Sequence, residues 1–374
     1  MSRQSPVASR QEEVASALAE GSPVRIVGRG TKLSWGRQVE AEVELSTAGL
    51  DRVVEHNAGD LTAVVEAGLP LAELQRRVGE AGQMLALDPP DGGATIGGVV
   101  ATGDSGPLRA RYGGPRDLVL GVRVALPDGS VIRSGGKVIK NVAGYDLGKL
   151  MSGSFGTLGA IVEVAVRLHP RPERTATAAG GTTDPATLAA AALELAAAPL
   201  EHRCLDLRWG GGDGALLARF GGAAAREQAE AARRLMKDAG LEGSLVDEDE
   251  NVWSLQRDGQ RSPSGTVVRV SGAPSRAPQV LATATRLGAR VVGRAGLGLS
   301  WIALEDRSPD EAAATVEQLR RDLSPSPCVV LDAPAEVRER IDPWGDLEPG
   351  LLALMGRVRD RFDPAGVCNP GLMP

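Results

Sequence analysis

Short apolar runs separated by glycine-rich turns dominate residues 23–170. Residues 23–27, 41–45 and 61–67 have the apolar, β-branched character of strands. Leu71, Leu74 and Val78 then recur at helical spacing, and Gly82 ends that helix. The run at 118–126 meets Pro127-Asp128-Gly129 and resumes at 131–133, which predicts a hairpin. A long strand over 158–168 carries Ile161, Val162, Val164, Val166 and Leu168, then stops at His169-Pro170-Arg171-Pro172. Two prolines so placed cannot continue a ladder and mark an exit from a domain.

Beyond that exit the order of elements repeats. A strand near 174–179, an Ala/Leu helix at 185–198, strands at 204–209 and 215–220, a helix at 223–239 and a strand near 244–246 form one series. After a variable patch around Trp253, a second series follows: strand 266–270, helix 274–287, strands 290–292 and 299–304, helix 309–323 and strand 328–331. Each series reads βαββαβ, the ferredoxin-like unit, and two such units can merge into one antiparallel sheet with helices on one face. Residues 349–362 predict a last helix, followed by the tight segment Asp363-Pro-Ala-Gly-Val-Cys-Asn-Pro-Gly371, of a kind that returns to pack on the first domain. The expected class is α+β, with an N-terminal domain over 1–172, a cap or substrate domain over 173–348, and a C-terminal helix and tail over 349–374.

Composition narrows the function. A chain of 374 residues points to two domains. The net charge of −6, with both signs mixed along the chain, offers no basic stripe for nucleic acid. The opening MSRQSPVASRQEEV has no apolar signal core, and no stretch reaches the roughly 18–20 apolar residues of a membrane span. The expected compartment is the cytoplasm, with any membrane contact made through a partner rather than by insertion. Cys204, Cys328 and Cys368 lie far apart without a CxxC pair, and His56, His169 and His202 are equally scattered. A self-contained iron–sulfur cluster and a transition-metal site are both unexpected.

Three segments carry candidate chemistry. Gly28-Arg29-Gly30-Thr31-Lys32-Leu33-Ser34-Trp35-Gly36 follows a strand directly. Successive N–H groups in such a turn form an anion-binding nest suited to a pyrophosphate, with Arg29, Lys32 and the Thr31 hydroxyl able to add charge and hydrogen bonds. The match to known phosphate-loop patterns is weak, and a plain glycine turn between strands explains it equally well. In the second segment, 88–106, Pro89 and Pro90 stiffen the entry, Thr95 suits a helix cap, and Gly97-Gly98 strips the helix of side chains where a flat ring could lie. Close helix–sheet packing is the structural alternative at those glycines. In the third, 140–159, Gly153, Ser154, Gly156 and Gly159 lead into the buried strand, where backbone groups can meet a polar ring. So many glycines lose much entropy on folding, which favours a bound ligand.

The strings GRGTKLSWGR, ALDPPDGGATIGGVVATG, RYGGPRDLVLGVRVALPDG, GGKVIKNVAGYDLGKLMSGSFGTLGAIVEV and FDPAGVCNPG resemble the FAD-binding fold of the vanillyl-alcohol oxidase (PCMH-type) superfamily, and within it the FAD-binding E subunits of glycolate oxidase. The resemblance implies a two-lobed FAD-binding domain and a duplicated ferredoxin-like cap. It implies that Gly28, Arg29, Gly30, Thr31 and Lys32 hold the pyrophosphate. Pro89, Pro90, Thr95, Gly97, Gly98, Ala101, Thr102 and Ser105 would line the flavin and ribityl chain. Gly153, Ser154, Gly156, Gly159 and Ile161 would sit near the ring or adenine, with Asn369 approaching from the tail. No histidine or cysteine occurs at 28–36 or 88–111, so the attachment is expected to be noncovalent. The cap holds only His202 in place of the histidine-rich metal motif of the catalytic D-2-hydroxyacid dehydrogenases of this superfamily.

Three functions remain open at this point. The first is an FAD subunit of a glycolate oxidase complex, oxidising glycolate to glyoxylate with a homologous FAD-containing subunit and an iron–sulfur subunit that takes the electrons. The second is a noncatalytic FAD-binding scaffold. The third is a self-sufficient 2-hydroxyacid or polyol oxidase, which needs a carboxylate-binding group, with Arg109, Arg111, Arg116, Tyr112 and Tyr145 as candidates, and a base such as Asp146 or Glu163. Asp146 suits better as the cap of a helix at Leu147. The cap strands 204–209 and 299–304 are expected to face the flavin cleft.

Overall fold

Two apolar layers pack on opposite faces of a central sheet in the N-terminal part of the chain. The computed structural model describes residues 6–41, 43–90, 93–136, 146–247 and 249–374. Helix α1 (Pro6–Ala19) leads into β1 (Val24–Val27) and β2 (Val43–Ser46), which pair in parallel. Strands β3 (Val53–Asn57) and β4 (Thr62–Glu66), helix α2 (Leu71–Gly79) and the short β5 (Gln83–Met84) follow. Then come three short helices, α3 (Ile96–Thr102), α4 (Arg109–Tyr112) and α5 (Pro115–Leu118), and the hairpin β6 (Val119–Ala125) and β7 (Val131–Gly135). Helix α6 (Leu147–Met151), strand β8 (Ala160–Arg167) and the short β9 (His169–Pro170) complete this part. The main sheet runs β3-β4-β8-β6-β7.

Strand β8 is buried on both faces, which explains its nearly unbroken apolar run. Val164 and Val166 join the core under α2 and α3, whereas Ala160 and Val162 join a second core with Val14, Ala15 and Leu18 of α1. Helix α1 and strand β3 are absent from the sequence expectation. Three apolar side chains hold α1 down, too few to stand out among its polar neighbours, and β3 exposes most of its side chains partly.

The following part is one eight-stranded sheet with helices on one face. Its first unit is β10 (Thr175–Thr182), α7 (Pro185–Ala197), β11 (Cys204–Gly210), β12 (Asp213–Gly221), α8 (Ala225–Asp238) and β13 (Glu242–Val246). Helix α9 (Glu250–Asp258) links it to the second: β14 (Thr266–Ser271), α10 (Ala277–Arg286), β15 (Arg290–Arg294), β16 (Leu299–Leu304), α11 (Pro309–Leu323) and β17 (Cys328–Asp332). The order β13-β10-β12-β11-β15-β16-β14-β17 is entirely antiparallel, and the two ferredoxin-like units join through β11 and β15. The patch around Trp253 is therefore a helix; Trp253 is buried and its Nε1 donates to Thr177 Oγ1 at 2.9 Å. Alternation along β11, β14, β15 and β16 sends Leu205, Leu207, Val268, Val270, Val291 and Ile302 into the helix-covered core. The opposite face carries Asp206, Arg294, Trp301 and Arg269, and it is turned toward the N-terminal part, where Val267 and Trp301 pack on Trp35.

After α12 (Ala335–Arg338) and α13 (Pro349–Phe362), the tail crosses back to β1. The Val24 N–H donates to the Val367 carbonyl at 2.8 Å, and the Asn369 N–H donates to the Val24 carbonyl at 2.9 Å. No helix among the described residues is long and apolar enough to cross a membrane.

Candidate functional site

A cleft lies between the β1–β2 lobe and the main sheet. Its wall begins where β1 ends. Gly30 has φ +72°, a conformation that suits glycine, and the chain turns there before Trp35 re-enters the core. The backbone N–H groups of Arg29, Gly30 and Thr31 find no protein acceptor among the described residues. Arg29 is exposed and forms no ion pair there. Free amides beside a free guanidinium form a cradle for a polyanion.

Lys32 is placed differently. Its Nζ lies 3.1 Å from Asp104 Oδ2 with both side chains buried, as an ion pair without hydrogen-bond alignment, and it also rests over the Trp35 ring at 5.6 Å. Its charge is already matched, so Arg29 is the freer cation of this loop. Trp35 ties the loop to the eight-stranded sheet: its Nε1 donates to Asp332 Oδ1 at 3.1 Å, and Arg261 bridges Asp332 and the ring.

Helix α3 forms the second wall. Thr95 caps it by accepting from the Gly98 N–H at 3.1 Å, worth about 1 kcal/mol. Its two glycines have separate jobs. A Cβ on Gly97 would lie 2.7 Å from Ala67 Cβ, so this position is bare for packing on the sheet. A Cβ on Gly98 would meet only Thr95 Oγ1, at 3.1 Å, and would otherwise stand in the cleft.

The third wall is the segment from Phe155 to Ile161, closed by the tail. Asn369 accepts from the Ile26 N–H and donates to the Phe155 carbonyl, both at 2.7 Å. Gly156 lies so close that a Cβ there would come 2.8 Å from Asn369 Nδ2.

Of the residues singled out in the sequence, Gly28, Arg29, Gly30, Thr31, Lys32, Thr95, Gly97, Gly98, Ala101, Thr102, Gly156, Gly159, Ile161 and Asn369 line this cleft together. Pro89, Pro90, Ser105, Gly153 and Ser154 do not. Pro89 and Pro90 are buried, the Ser105 carbonyl accepts from Gln260, the Gly153 N–H donates to the Val100 carbonyl, and the Ser154 hydroxyl accepts from the Gly156 N–H. Leu33, Trp35 and Phe155 of the candidate segments also line the cleft, and so do Arg25, Thr47 and Leu372, which lie outside those segments. The positive φ of Phe155, +54°, is invisible in sequence, although its glycine-rich setting was a signal.

The carboxylate and base candidates disperse. Arg111 pairs with Glu201 at the surface, Arg116 is exposed, and Tyr112 packs on His169 under Arg203, with burial pushing its phenol pKa up. Asp146 caps α6, accepting from the Lys149 N–H, and Glu163 accepts from Gln11. Tyr145, the rest of 140–144, and Asp91 and Gly92 lie outside the described residues. Strand β11 is absent from the cleft lining, as is β16, whose Trp301 and Ala303 pack instead on Trp35. No cluster of metal-ligating side chains occurs among the described residues.

Residues 7–135 match the FAD binding domain family. That match gives this part of the chain an FAD-binding domain, with FAD as the cofactor, and the fold is of the PCMH type. Among its relatives, glycolate oxidase subunit GlcE of Escherichia coli (strain K12) is 40% identical over 163 residues, covering 43% of this chain and 46% of that protein. Glycolate oxidase subunit GlcD of Bacillus subtilis (strain 168) is 38% identical over 153 residues, 40% of this chain and 33% of that one. D-lactate dehydrogenase of Archaeoglobus fulgidus is 36% identical over 168 residues, 44% of this chain and 38% of that one. Each match takes in less than half of the relative's length. Alkyldihydroxyacetonephosphate synthase shares the fold, with a TM-score of 0.67 at 15% identity over 96% of this chain and 74% of that one.

Proposed function

We propose that this chain is the FAD-binding subunit of a glycolate-oxidase-type complex that oxidises a small 2-hydroxyacid, glycolate to glyoxylate, and passes the electrons to a partner. The observation that carries this reading is the cleft itself: free amides and a free Arg29 at one end, and the bare Gly98 face of α3 along its length. In this reading residues 1–172 form the FAD-binding domain, 173–348 the cap, and 349–374 the returning tail. Gly28, Arg29, Gly30 and Thr31 hold the pyrophosphate. Gly98, Ala101 and Thr102 make room along the helix, while Gly156, Gly159, Ile161 and Asn369 close the far wall. Pro89, Pro90, Ser105, Gly153 and Ser154 support these walls from behind.

The flavin supplies two-electron acceptance when bound, and the chain supplies position and exclusion of water. With no histidine or cysteine in the cleft lining among the described residues, attachment is noncovalent in this reading. Oxidation of the hydroxyl to a carbonyl releases two electrons and two protons. The three cysteines are buried and far apart, so onward transfer needs an iron–sulfur partner, joined by a homologous FAD-containing subunit.

A second reading has a specific observation behind it. Among the described residues the lining contains no carboxylate, imidazole or thiol to take a proton from a substrate. This favours a subunit that holds FAD as a relay or scaffold while chemistry occurs on the homologous partner. An anaerobic absorbance titration of the FAD-loaded chain with glycolate separates the two. Bleaching of the visible band without partners makes this chain the dehydrogenase; a band that persists until partners are added makes it the accessory flavoprotein.

A further inference from the structure

The loop after β1 has two faces. Its amides at 29–31 open on the cleft, whereas the groups from Thr31 onward are taken up by the eight-stranded sheet and the chain beside it. Arg261 donates to the Thr31 carbonyl at 3.4 Å, and the Trp35 ring packs on Val267, Trp301 and Leu331. Arg338 donates to the Gly36 carbonyl, and Arg37 pairs with Asp342. All these groups lie within residues 261–342, the second ferredoxin-like unit and its flanks.

Asp332 is the centre of this contact. It is buried, and it accepts from Trp35 Nε1 at 3.1 Å, Ser34 Oγ at 3.4 Å, Arg261 Nε at 2.6 Å and Nη2 at 3.0 Å, and the Ser262 N–H at 3.3 Å. A buried carboxylate is tolerated there because Arg261 matches its charge and donors reach both oxygens. Alternation alone would not bring it to the loop. Along β17, Cys328 and Val330 enter the helix-covered core, while Val329 and Leu331 face Trp35. Strict alternation would send Asp332 after Val330. A bulge intervenes: Val268 pairs with Val330 but Val267 pairs with Asp332, which leaves Leu331 as the extra residue. The bulge turns Asp332 onto the face of Leu331, and re-aiming a side chain beside a functional site is what β-bulges do.

We infer that Asp332 is a positioning residue for the cofactor: by holding Ser34 and Trp35 it fixes the loop in the form that binds the FAD pyrophosphate, so that the second ferredoxin-like unit sets how tightly FAD is held. Asp332 does not line the cleft and acts through the loop. The glycines at 28 and 30 make such support necessary. An unbraced glycine loop samples many conformations, and the entropy of ordering it would be taken from the binding free energy. The coupling is reciprocal, so FAD in the cleft tightens the contact between loop and sheet by the same factor. The inference rests on the proposed reading that residues 28–32 take the pyrophosphate.

The test is calorimetric titration of the flavin-free full-length chain with FAD, well below its melting temperature. Asp332→Asn should weaken FAD binding by about 10- to 30-fold, and Trp35→Phe, which keeps a ring but loses the Nε1 donor, by about 3- to 10-fold. Both act on one contact, so the double variant should bind within about 2-fold of Asp332→Asn. Hydrogen exchange adds a readout that a merely structural role would not move: FAD should slow exchange across residues 328–338 in the parent and much less in Asp332→Asn. Arg286→Met, which removes an exposed pairing with Asp322 between two cap helices, should bind FAD as the parent does. If Asp332→Asn fails to fold, Trp35→Phe and its exchange pattern decide the matter. Parental FAD affinity in Asp332→Asn, or losses that multiply in the double variant, overturn the inference. Arg29→Ala is scored alongside. Weaker binding in Arg29→Ala with parental binding in Asp332→Asn keeps the phosphate assignment and removes the positioning role. Parental binding in Arg29→Ala with weaker binding in Asp332→Asn removes that assignment and keeps the hold of the cap on the cofactor.

Discussion

Asn369 donates to the carbonyl of Phe155, 214 positions earlier in the chain, at 2.7 Å, and both residues hold positive φ, +47° and +54°. Non-glycine residues seldom adopt this region, and they persist there only when surrounding contacts over-determine them. Asn369 also accepts from the Ile26 N–H. One side chain thus joins the tail, the first strand and the third wall of the cleft.

Replacing Asn369 by alanine leaves two main-chain groups at the cleft without their partner. Expected is a loss of about 1–3 kcal/mol in stability and weaker FAD retention. Thermal unfolding and the flavin-to-protein absorbance ratio after gel filtration check both. A variant that keeps full flavin and the parent's melting temperature would show the tail to be incidental.

The loop makes a narrower prediction. Arg29 is exposed and unpaired among the described residues, so Arg29→Ala should leave the unfolding free energy of the flavin-free protein within about 0.5 kcal/mol of the parent. FAD affinity should fall roughly tenfold, and its salt dependence should flatten. Flavin titration at low and high salt measures this; unchanged affinity moves the pyrophosphate elsewhere.

The paired glycines of α3 should fail in different ways. Gly97→Ala forces a Cβ to within 2.9 Å of the Ala67 carbonyl oxygen and should destabilise the protein by about 1–3 kcal/mol with or without flavin. Gly98→Val should fold but hold little FAD, because its side chain enters the cleft. Melting temperatures with and without added FAD discriminate the two. A fully loaded Gly98→Val variant would place the flavin off this helix.

The stability that Asp88 and Asp206 contribute should decline as the solution becomes less acidic. Asp88 is half-buried, accepts from the Leu108 N–H at 3.0 Å, and lies near Arg294, Arg257 and Asp206; desolvation lifts its pKa from 3.8 to about 7. Burial also lifts Asp206 to about 6 against the pull of Arg294. With folded values above the unfolded one, the native protein binds these protons more tightly. Their contribution is therefore full below about pH 4 and is lost as pH rises through 6 and 7. Asp88→Asn should gain up to about 4 kcal/mol over the parent at pH 8 and far less at pH 5. Denaturant unfolding at both values is the check, and an equal difference at the two would disprove the linkage.

Local pattern alone determined much of this protein. Glycine spacing marked the turn after the first strand and the bare helix behind Thr95, because a missing side chain is a local fact with a local consequence. Alternating and helical periods likewise wrote the two βαββαβ units, since each strand and helix buries one face on its own neighbours. Tertiary structure decided the rest. The helix around Trp253 is held by a buried hydrogen bond to Thr177, 76 positions away, which no window of sequence displays. The pattern offers Lys32 as a phosphate ligand, and only folding shows Asp104 set beside it. Alternation puts Arg269, Arg294 and Asp206 on the face opposite the helix-covered core. Alternation tells which residues share a face, but only the packing of a second layer decides whether that face meets water or a buried cleft.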